Sequence, residues 1–188
     1  KEKCDVVIFS DFRHGIFNKT NIKILSNSIK KNVIKVADSQ VASRWGNILD
    51  FKKFDLITPN EKEVRFSLAD QDSSISELTR ELSKLSGFKN LILKLGERGT
   101  VTVSKQNNSL SFATPSFTKN VVDAVGAGDA LLAYASLCLA SNNSIVSANI
   151  LGSIAAACEC EMEGNISVKR NMIINKINDL EKSSKFNI

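Results

Sequence analysis

The sequence predicts an α/β fold: a mostly parallel β-sheet flanked by helices on both faces, with a short antiparallel hairpin at one edge. Three observations predict it. Short runs rich in Val and Ile alternate with longer stretches in which apolar residues recur every three or four positions, the pattern of parallel strands joined by crossover helices. Two neighbouring runs, Thr100–Ser104 and Leu110–Ala113, are separated only by the polar QNNS segment, which reads as a hairpin turn. The composition, 43% apolar and 24% charged with nine glycines and two prolines, supplies a core and excludes collagen-like, linker-like and disordered chains. At 188 residues the chain is expected to form a single domain spanning 1–188.

In chain order, Cys4–Ser10 (CDVVIFS), Val33–Ala37, Asp55–Thr58 and Asn90–Leu95 are expected as the parallel strands. Thr20–Lys31, Asn60–Ala69 and Ser76–Ser86 have helical period and serve as crossovers. From Gly128 onward the chain turns helical, with GDALLAYASLCLA, then SIVSANILGSIAAACEC, then a weaker helix from Ser167 to about Leu180. The IAAAC stretch reads as a closely packed helix. There is no internal repeat and no Pro/Gly/Ser-rich linker. The first strand-like run begins only three residues into the chain with no capping element ahead of it, which reads as a fragment of a longer domain.

Several classes are excluded or disfavoured. The longest apolar run, Ala130–Ala135, is six residues against the roughly 20 that a bilayer-spanning helix requires, so no membrane partner is expected. The net charge of +5 is spread along the chain without a basic block, which gives no nucleic-acid arm. It fits either a solvated surface or a protein that handles phosphorylated anions. Cys4, Cys138, Cys158 and Cys160 form no CxxC pair and have no His cluster beside them, so they read as reduced, buried thiols. No charged-then-apolar leader is present, and the expected location is the cytoplasm. A dinucleotide-binding oxidoreductase is disfavoured because no GxGxxG follows the strand at Cys4–Ser10.

The chemistry concentrates in Asn120–Ala130, NVVDAVGAGDA. Gly126 and Gly128 bracket Ala127 directly before a long apolar helix, with a carboxylate on each side of the turn. Such a turn lets the backbone approach a ligand, and the helix start offers unpaired N–H groups and partial positive charge to an anion. Asp129 at that helix start could take a proton from a substrate hydroxyl while the amides stabilise a transferring phosphoryl group. Taken alone, the segment reads as a plain N-cap at Asp129 with glycines that permit a tight turn.

Its company changes that reading. NVVDAVGAGDALLA resembles the DTxGAGD signature of the PfkB, or ribokinase-like, carbohydrate kinases, and three further segments match the family's pattern in order. SDFRHG, Ser10–Gly15, is similar to its SDYxKG run, with Asp11 and Gly15 kept and His14 where Lys is common. TPNEKE, Thr58–Glu63, is similar to its NxxE element. KLGERG, Lys94–Gly99, resembles its GxxG phosphate-side loop. The resemblance covers essentially the whole chain but corresponds to the later part of such a kinase, without the first sugar-binding residues and the small β lid. It implies a ribokinase-type fold, with residues 1–188 as the nucleotide-binding C-terminal portion.

The resemblance implies roles residue by residue. Asp129 is the catalytic base, and Gly126, Ala127 and Gly128 are the anion hole. Asn60 and Glu63, three apart on one face of a first helical turn, hold a hydrated magnesium ion; without the resemblance Glu63 is equally an ordinary acid at a helix start. Thr58 followed by Pro59 and Glu61 reads as a capping box with Pro at the first helical position, which makes Glu61 structural. Gly96 and Gly99 let backbone amides reach nucleotide phosphates, although both have sufficient reason as turn residues. The resemblance allows Lys94, where the family often has Thr, or Arg98 to add charge beside those phosphates, but both read better as exposed charges. Asp123 opens the turn in a region where family members bind a monovalent cation, and Ala124 replaces the usual Thr. Counting from Asp129, the residue beside the adenine falls on Ser153, where many members have Asn, and Gly164 falls on a family Gly. His14, the lone histidine, reads as incidental.

The expected function is ATP- and magnesium-dependent phosphoryl transfer to a hydroxyl of a small-molecule sugar or sugar phosphate, with a homodimer as an expected assembly and the 188-residue piece inactive alone. SDFRHG and LITPNEKE look most like the kinase domains that act on heptose 7-phosphate in ADP-heptose synthesis. Ala37–Phe51 departs from the DPKG run of those enzymes, keeping Asp38 but placing Gln40 where the Lys would be. The alternatives are another PfkB sugar kinase of fructokinase or ribokinase type, or a non-catalytic nucleotide-binding fragment.

Overall fold

The six strands alternate side chains between two faces, and their order across the sheet follows their order along the chain. In the computed structural model, which describes residues 4–40, 48–105, 110–164 and 166–184, these are β1 (Val6–Asp11), β2 (Ile34–Ser39), β3 (Leu56–Ile57), β4 (Asn90–Lys94), β5 (Thr100–Ser104) and β6 (Ser111–Thr114). β1 to β4 are mutually parallel, and β5 and β6 run antiparallel as the sequence predicts. The QNNS segment lies outside the described residues. Backbone contacts divide the chain into two compact units, Lys1–Gly96 with Thr100–Thr114, and Glu97–Gly99 with Pro115–Ile188.

The first unit carries the sheet with α1 (Lys19–Ser28), α2 (Glu61–Leu68) and α3 (Ile75–Ser86). Each starts on a reciprocal capping box, Asn18 with Asn21, Asn60 with Glu63, and Ser74 with Glu77. The cap of α2 corrects the sequence expectation of a box from Thr58 to Glu61. Thr58 still belongs to the parallel ladder, its N–H donating to Ala37 O at 3.1 Å, so the helix starts two residues later. One sheet face contributes Phe9, Ala37, Ile57, Leu91 and Leu93 to a core closed by Ile22 of α1, Val64 of α2, and Leu78 and Leu82 of α3. Phe9, Phe51 and Phe54 meet edge to face at 5.1 to 6.1 Å between centroids, which adds aromatic packing to area burial.

The second unit is helical, with α4 (Ala127–Ala140), α5 (Ile145–Cys160) and α6 (Arg170–Ser184). α6 begins later than the periodicity predicts, after Val168, whose carbonyl accepts from the Tyr134 hydroxyl at 2.8 Å. Ile154, Ala155, Cys158 and Ile173 form the core, with Phe117, Tyr134 and Leu151 packed on it. α5 is closely packed, as expected: a Cβ at Gly152 would stand 2.9 Å from Leu131 O of α4.

The cysteines are all free, but Cys4, which precedes the first paired residue of β1, is exposed and Cys160 is half-buried, which corrects the expectation of four buried thiols. Burial pushes the Cys138, Cys158 and Cys160 thiols up, which keeps them protonated and unreactive at neutral pH. Among the described residues no helix is long and apolar enough to cross a membrane.

Candidate functional site

In the first unit the candidate residues gather at the carboxyl ends of the parallel strands, where open α/β sheets bind ligands. Registers Val36↔Leu56 and Leu56↔Asn90, with the bridge Asn60↔Lys94, put Asp38, Thr58 and Lys94 on the face opposite the phenylalanine core. Lys94 Nζ reaches Asp38 Oδ2 at 2.9 Å. Because β3 lies between β2 and β4, the lysine side chain crosses the end of β3, over Thr58. The Lys94 side chain is 17% exposed and that of Asp38 4%, so the expectation of an exposed charge fails for Lys94; Arg98 is exposed as expected. Asp38 Oδ1 and Thr58 Oγ1 are buried without a hydrogen-bond partner among the described residues. Sequence reasoning gave Asp38 and Thr58 no site role and weighed Lys94 only as an added charge beside nucleotide phosphates; Thr58 ends a predicted parallel strand and the other two lie within one residue of such an end, the signal that could have found them.

Asp11, at the end of β1, serves a different purpose. Its carboxylate accepts from Arg13 N and Ser39 Oγ and pairs with Arg13 Nη1 at 2.7 Å, pinning the SDFRHG turn to β2. His14 is exposed in that turn.

Asn60 and Glu63 are brought together as the sequence predicts, but they hold each other. Glu63 Oε2 accepts from Asn60 N and Oε1 from Asn60 Nδ2, both at 2.7 Å, while Asn60 Oδ1 accepts from Glu63 N at 2.9 Å. Glu63 is 3% exposed. In donor type, a carboxylate and an amide oxygen three residues apart, the pair fits a hydrated magnesium ion whose waters donate to it. Direct ligation through both Glu63 oxygens would break the cap.

Gly96 and Gly99 both adopt positive φ, 62° and 84°, as turn glycines do, and a Cβ at Gly96 would meet nothing within 4 Å.

In the second unit the GAGD turn opens α4 without a side-chain cap. Gly126 is the N-cap, with φ 88°. Ala127, Gly128 and Asp129 occupy the first turn, and the first strong helical hydrogen bond runs from Ala130 N to Gly126 O at 2.9 Å. Asp129 is therefore the third helical residue, which removes the reading of it as a plain N-cap. Asp123 Oδ1 accepts from Val125 N at 2.9 Å, and Cys160 O at the end of α5 accepts from Val122 N and Asp123 N. Those bonds hold the loop ahead of the glycines. Glu161 extends the anchor, accepting from Lys119 N and the buried Lys176 ammonium. Ser153 lies buried within α5, its hydroxyl donating to Asn149 Oδ1 at 3.4 Å, and Gly164 has φ 78°. Among the described residues no cluster of three or more His, Cys, Asp or Glu could hold a metal ion.

Residues 9–171 match the model of the pfkB family carbohydrate kinases. The bifunctional protein HldE of Campylobacter jejuni subsp. doylei is 31% identical over 187 residues, covering 95% of this chain and 38% of that protein. HldE of a Bradyrhizobium strain is 24% identical, covering 93% of this chain and 35% of its own length. Among solved structures, ribokinase from Thermotoga maritima superposes with a TM-score of 0.75 at 24% identity, covering 93% of this chain and 57% of its own. Phosphofructokinase-2 from Escherichia coli, in complex with potassium, gives a TM-score of 0.78 at 18% identity, with coverage of 94% and 57%. The chain thus spans little more than a third of these curated relatives.

Proposed function

The chain belongs to the pfkB family of carbohydrate kinases, and from that premise we propose that it carries out ATP-dependent transfer of the γ-phosphoryl group to a hydroxyl of a sugar or sugar phosphate, with heptose 7-phosphate as the acceptor to test first. The observation that carries this reading is the start of α4, where a glycine caps the helix without a side chain and Asp129 stands in the first turn. Asp129 accepts the acceptor's proton, and the amides of Gly126 to Gly128 receive charge developing on the phosphoryl oxygens. In-line attack requires the hydroxyl about 3 to 3.5 Å from phosphorus.

Magnesium, when bound, neutralises nucleotide phosphate charge; Asn60 and Glu63 would hold its water shell. Gly96 and Gly99 leave the backbone open to phosphate oxygens, Asp123 marks the region for a monovalent cation, and Ser153 marks the adenine side. The heptose reading draws support from the HldE relatives. Residues 1–188 are taken as part of one kinase domain, cytoplasmic and with homodimerisation as the assembly to test.

Titration calorimetry with ATP and magnesium, run beside a coupled kinase assay over heptose 7-phosphate, fructose and ribose, tests the reading. The isolated 188-residue chain is expected to bind ATP weakly without turnover, since acceptor positioning and water exclusion demand more of the fold than the 57% shared with ribokinase. Robust turnover by this chain overturns its expected inactivity. A longer protein that contains it and binds ATP, yet phosphorylates no sugar, is a nucleotide-binding module.

Glu63→Gln provides a second check. A neutral amide holds a hydrated cation less well and cannot accept at both oxygens, so magnesium for half-maximal activity should rise, and stability should fall by about 1 kcal/mol from the weakened cap. A fall in melting temperature with unchanged magnesium dependence makes the carboxylate purely structural.

A further inference from the structure

We propose that Lys176 is a positioning residue for the GAGD turn: acting through Glu161, its buried ammonium fixes the loop that leads into Gly126 and Asp129. The inference rests on the kinase reading above and deepens it. No motif singles out Lys176, which lies on α6. Its side chain is 7% exposed, and its ammonium donates to Glu161 Oε1 at 2.5 Å. Burying an ammonium is costly, and an apolar residue at this position would hold α6 on the Ile154, Cys158 and Ile173 core as well or better. The charge therefore serves its partner rather than the packing of the helix.

Glu161 depends on that charge. It is the C-cap of α5, the end of a helix where the dipole repels an anion. Other carboxylates crowd the same end: burial pushes the Cys160 thiol up, and Glu159, Glu161 and Asp123 push it further. Without a cation against it, the Glu161 carboxylate, whose side chain is 27% exposed, turns out to water. It then releases Lys119 N, from which it accepts at 2.7 Å. The bonds that follow lead to the turn. Cys160 O accepts from Val122 N at 2.7 Å and from Asp123 N at 3.2 Å, and Asp123 Oδ1 accepts from Val125 N at 2.9 Å, one residue short of Gly126. Gly126 starts α4 through its left-handed φ, without a side-chain cap. The path on which the chain enters that glycine thus decides where the amides of Gly126 to Gly128 and the Asp129 carboxylate point. A displacement of about 1 Å at a reacting group can cost about 10² in rate.

The test is backbone amide hydrogen exchange in the 188-residue chain, read residue by residue by NMR. Lys176→Met keeps an unbranched apolar stem and removes the charge. Exchange at Lys119, Val122, Asp123 and Val125 should quicken about tenfold or more, while amides in the middle of α4, α5 and α6 stay within about threefold. Lys176→Arg should return the loop to within about threefold of wild type, since it restores the charge. Glu161→Ala should quicken the same four amides, and adding Lys176→Met to it should change them no further, because the lysine acts through the carboxylate. Should Lys176→Met fail to fold with Glu161 left unpaired, the double variant Glu161→Ala/Lys176→Met removes both charges and should show the same loosened loop. In a catalytically competent protein containing this chain, Lys176→Met should lower kcat about tenfold with KM for nucleotide and acceptor within about twofold, and Lys176→Arg should recover the rate. Unchanged loop exchange in Lys176→Met, quickening spread evenly over α4, α5 and α6, or an unchanged kcat overturns the proposal. Loop exchange that responds as expected, in a chain whose longer parent binds ATP but phosphorylates no sugar, supports the tether and overturns the kinase reading instead.

Discussion

Replacing Asp129 by Asn is expected to lower kcat by about 10² or more in a catalytically competent protein containing this chain, with nucleotide affinity nearly unchanged. Asn keeps the size of the side chain and its place in the first turn of α4 but cannot take a proton. Because Gly126 rather than Asp129 is the N-cap, a large drop in rate cannot be assigned to a lost cap. The loss of favourable charge at the helix N-terminus costs only about 0.3 to 1 kcal/mol, too little to unfold the unit. Steady-state kinetics beside a thermal melt separates the outcomes. A loss of activity under threefold sinks the assignment of the base, and so does a large loss that tracks a collapse of the melting transition.

Gly152→Val is expected to destabilise the protein by about 3 kcal/mol, at the upper end for an overpacked core. A Cβ at this position would meet Leu131 O at 2.9 Å, Leu131 Cγ at 3.2 Å and Ala135 Cβ at 3.3 Å. The nearest atom is backbone, so relief requires α4 and α5 to separate, and α4 carries the GAGD turn at its start. At about 2 to 4 °C per kcal/mol for a chain of this size, the melting temperature should fall by about 6 to 12 °C. Gly152→Ala poses a sharper conflict, because helix propensity alone predicts a gain of about 1 kcal/mol while the 2.9 Å contact predicts a loss. The contact should win. An alanine variant more stable than wild type would show that the two helices separate cheaply at this point.

The sequence by itself determined the succession of strands and helices, the antiparallel pair at the end of the sheet, and the GAGD turn at the head of an apolar helix. These are local properties: period-two and period-3.6 patterns, and glycines immediately before a helical run, are visible within about a dozen residues. It placed the capping box at Thr58 to Glu61, where the structure has it at Asn60 to Glu63. The choice depends on a hydrogen bond from Thr58 N to Ala37 O, 21 residues earlier, which keeps Thr58 in the sheet. It could not distinguish Asp129 as an N-cap from Asp129 as the third residue of the helix's first turn, since that depends on the left-handed conformation of Gly126. The Asp38–Lys94 pair was least legible. Its partners lie 56 residues apart on strands that do not touch, and only the register through β3 between them puts both side chains on one face. A lysine at the end of a strand looks like a surface charge until the sheet is assembled, because alternation along one strand determines which residues share a face but not which neighbouring strand supplies the charge opposite.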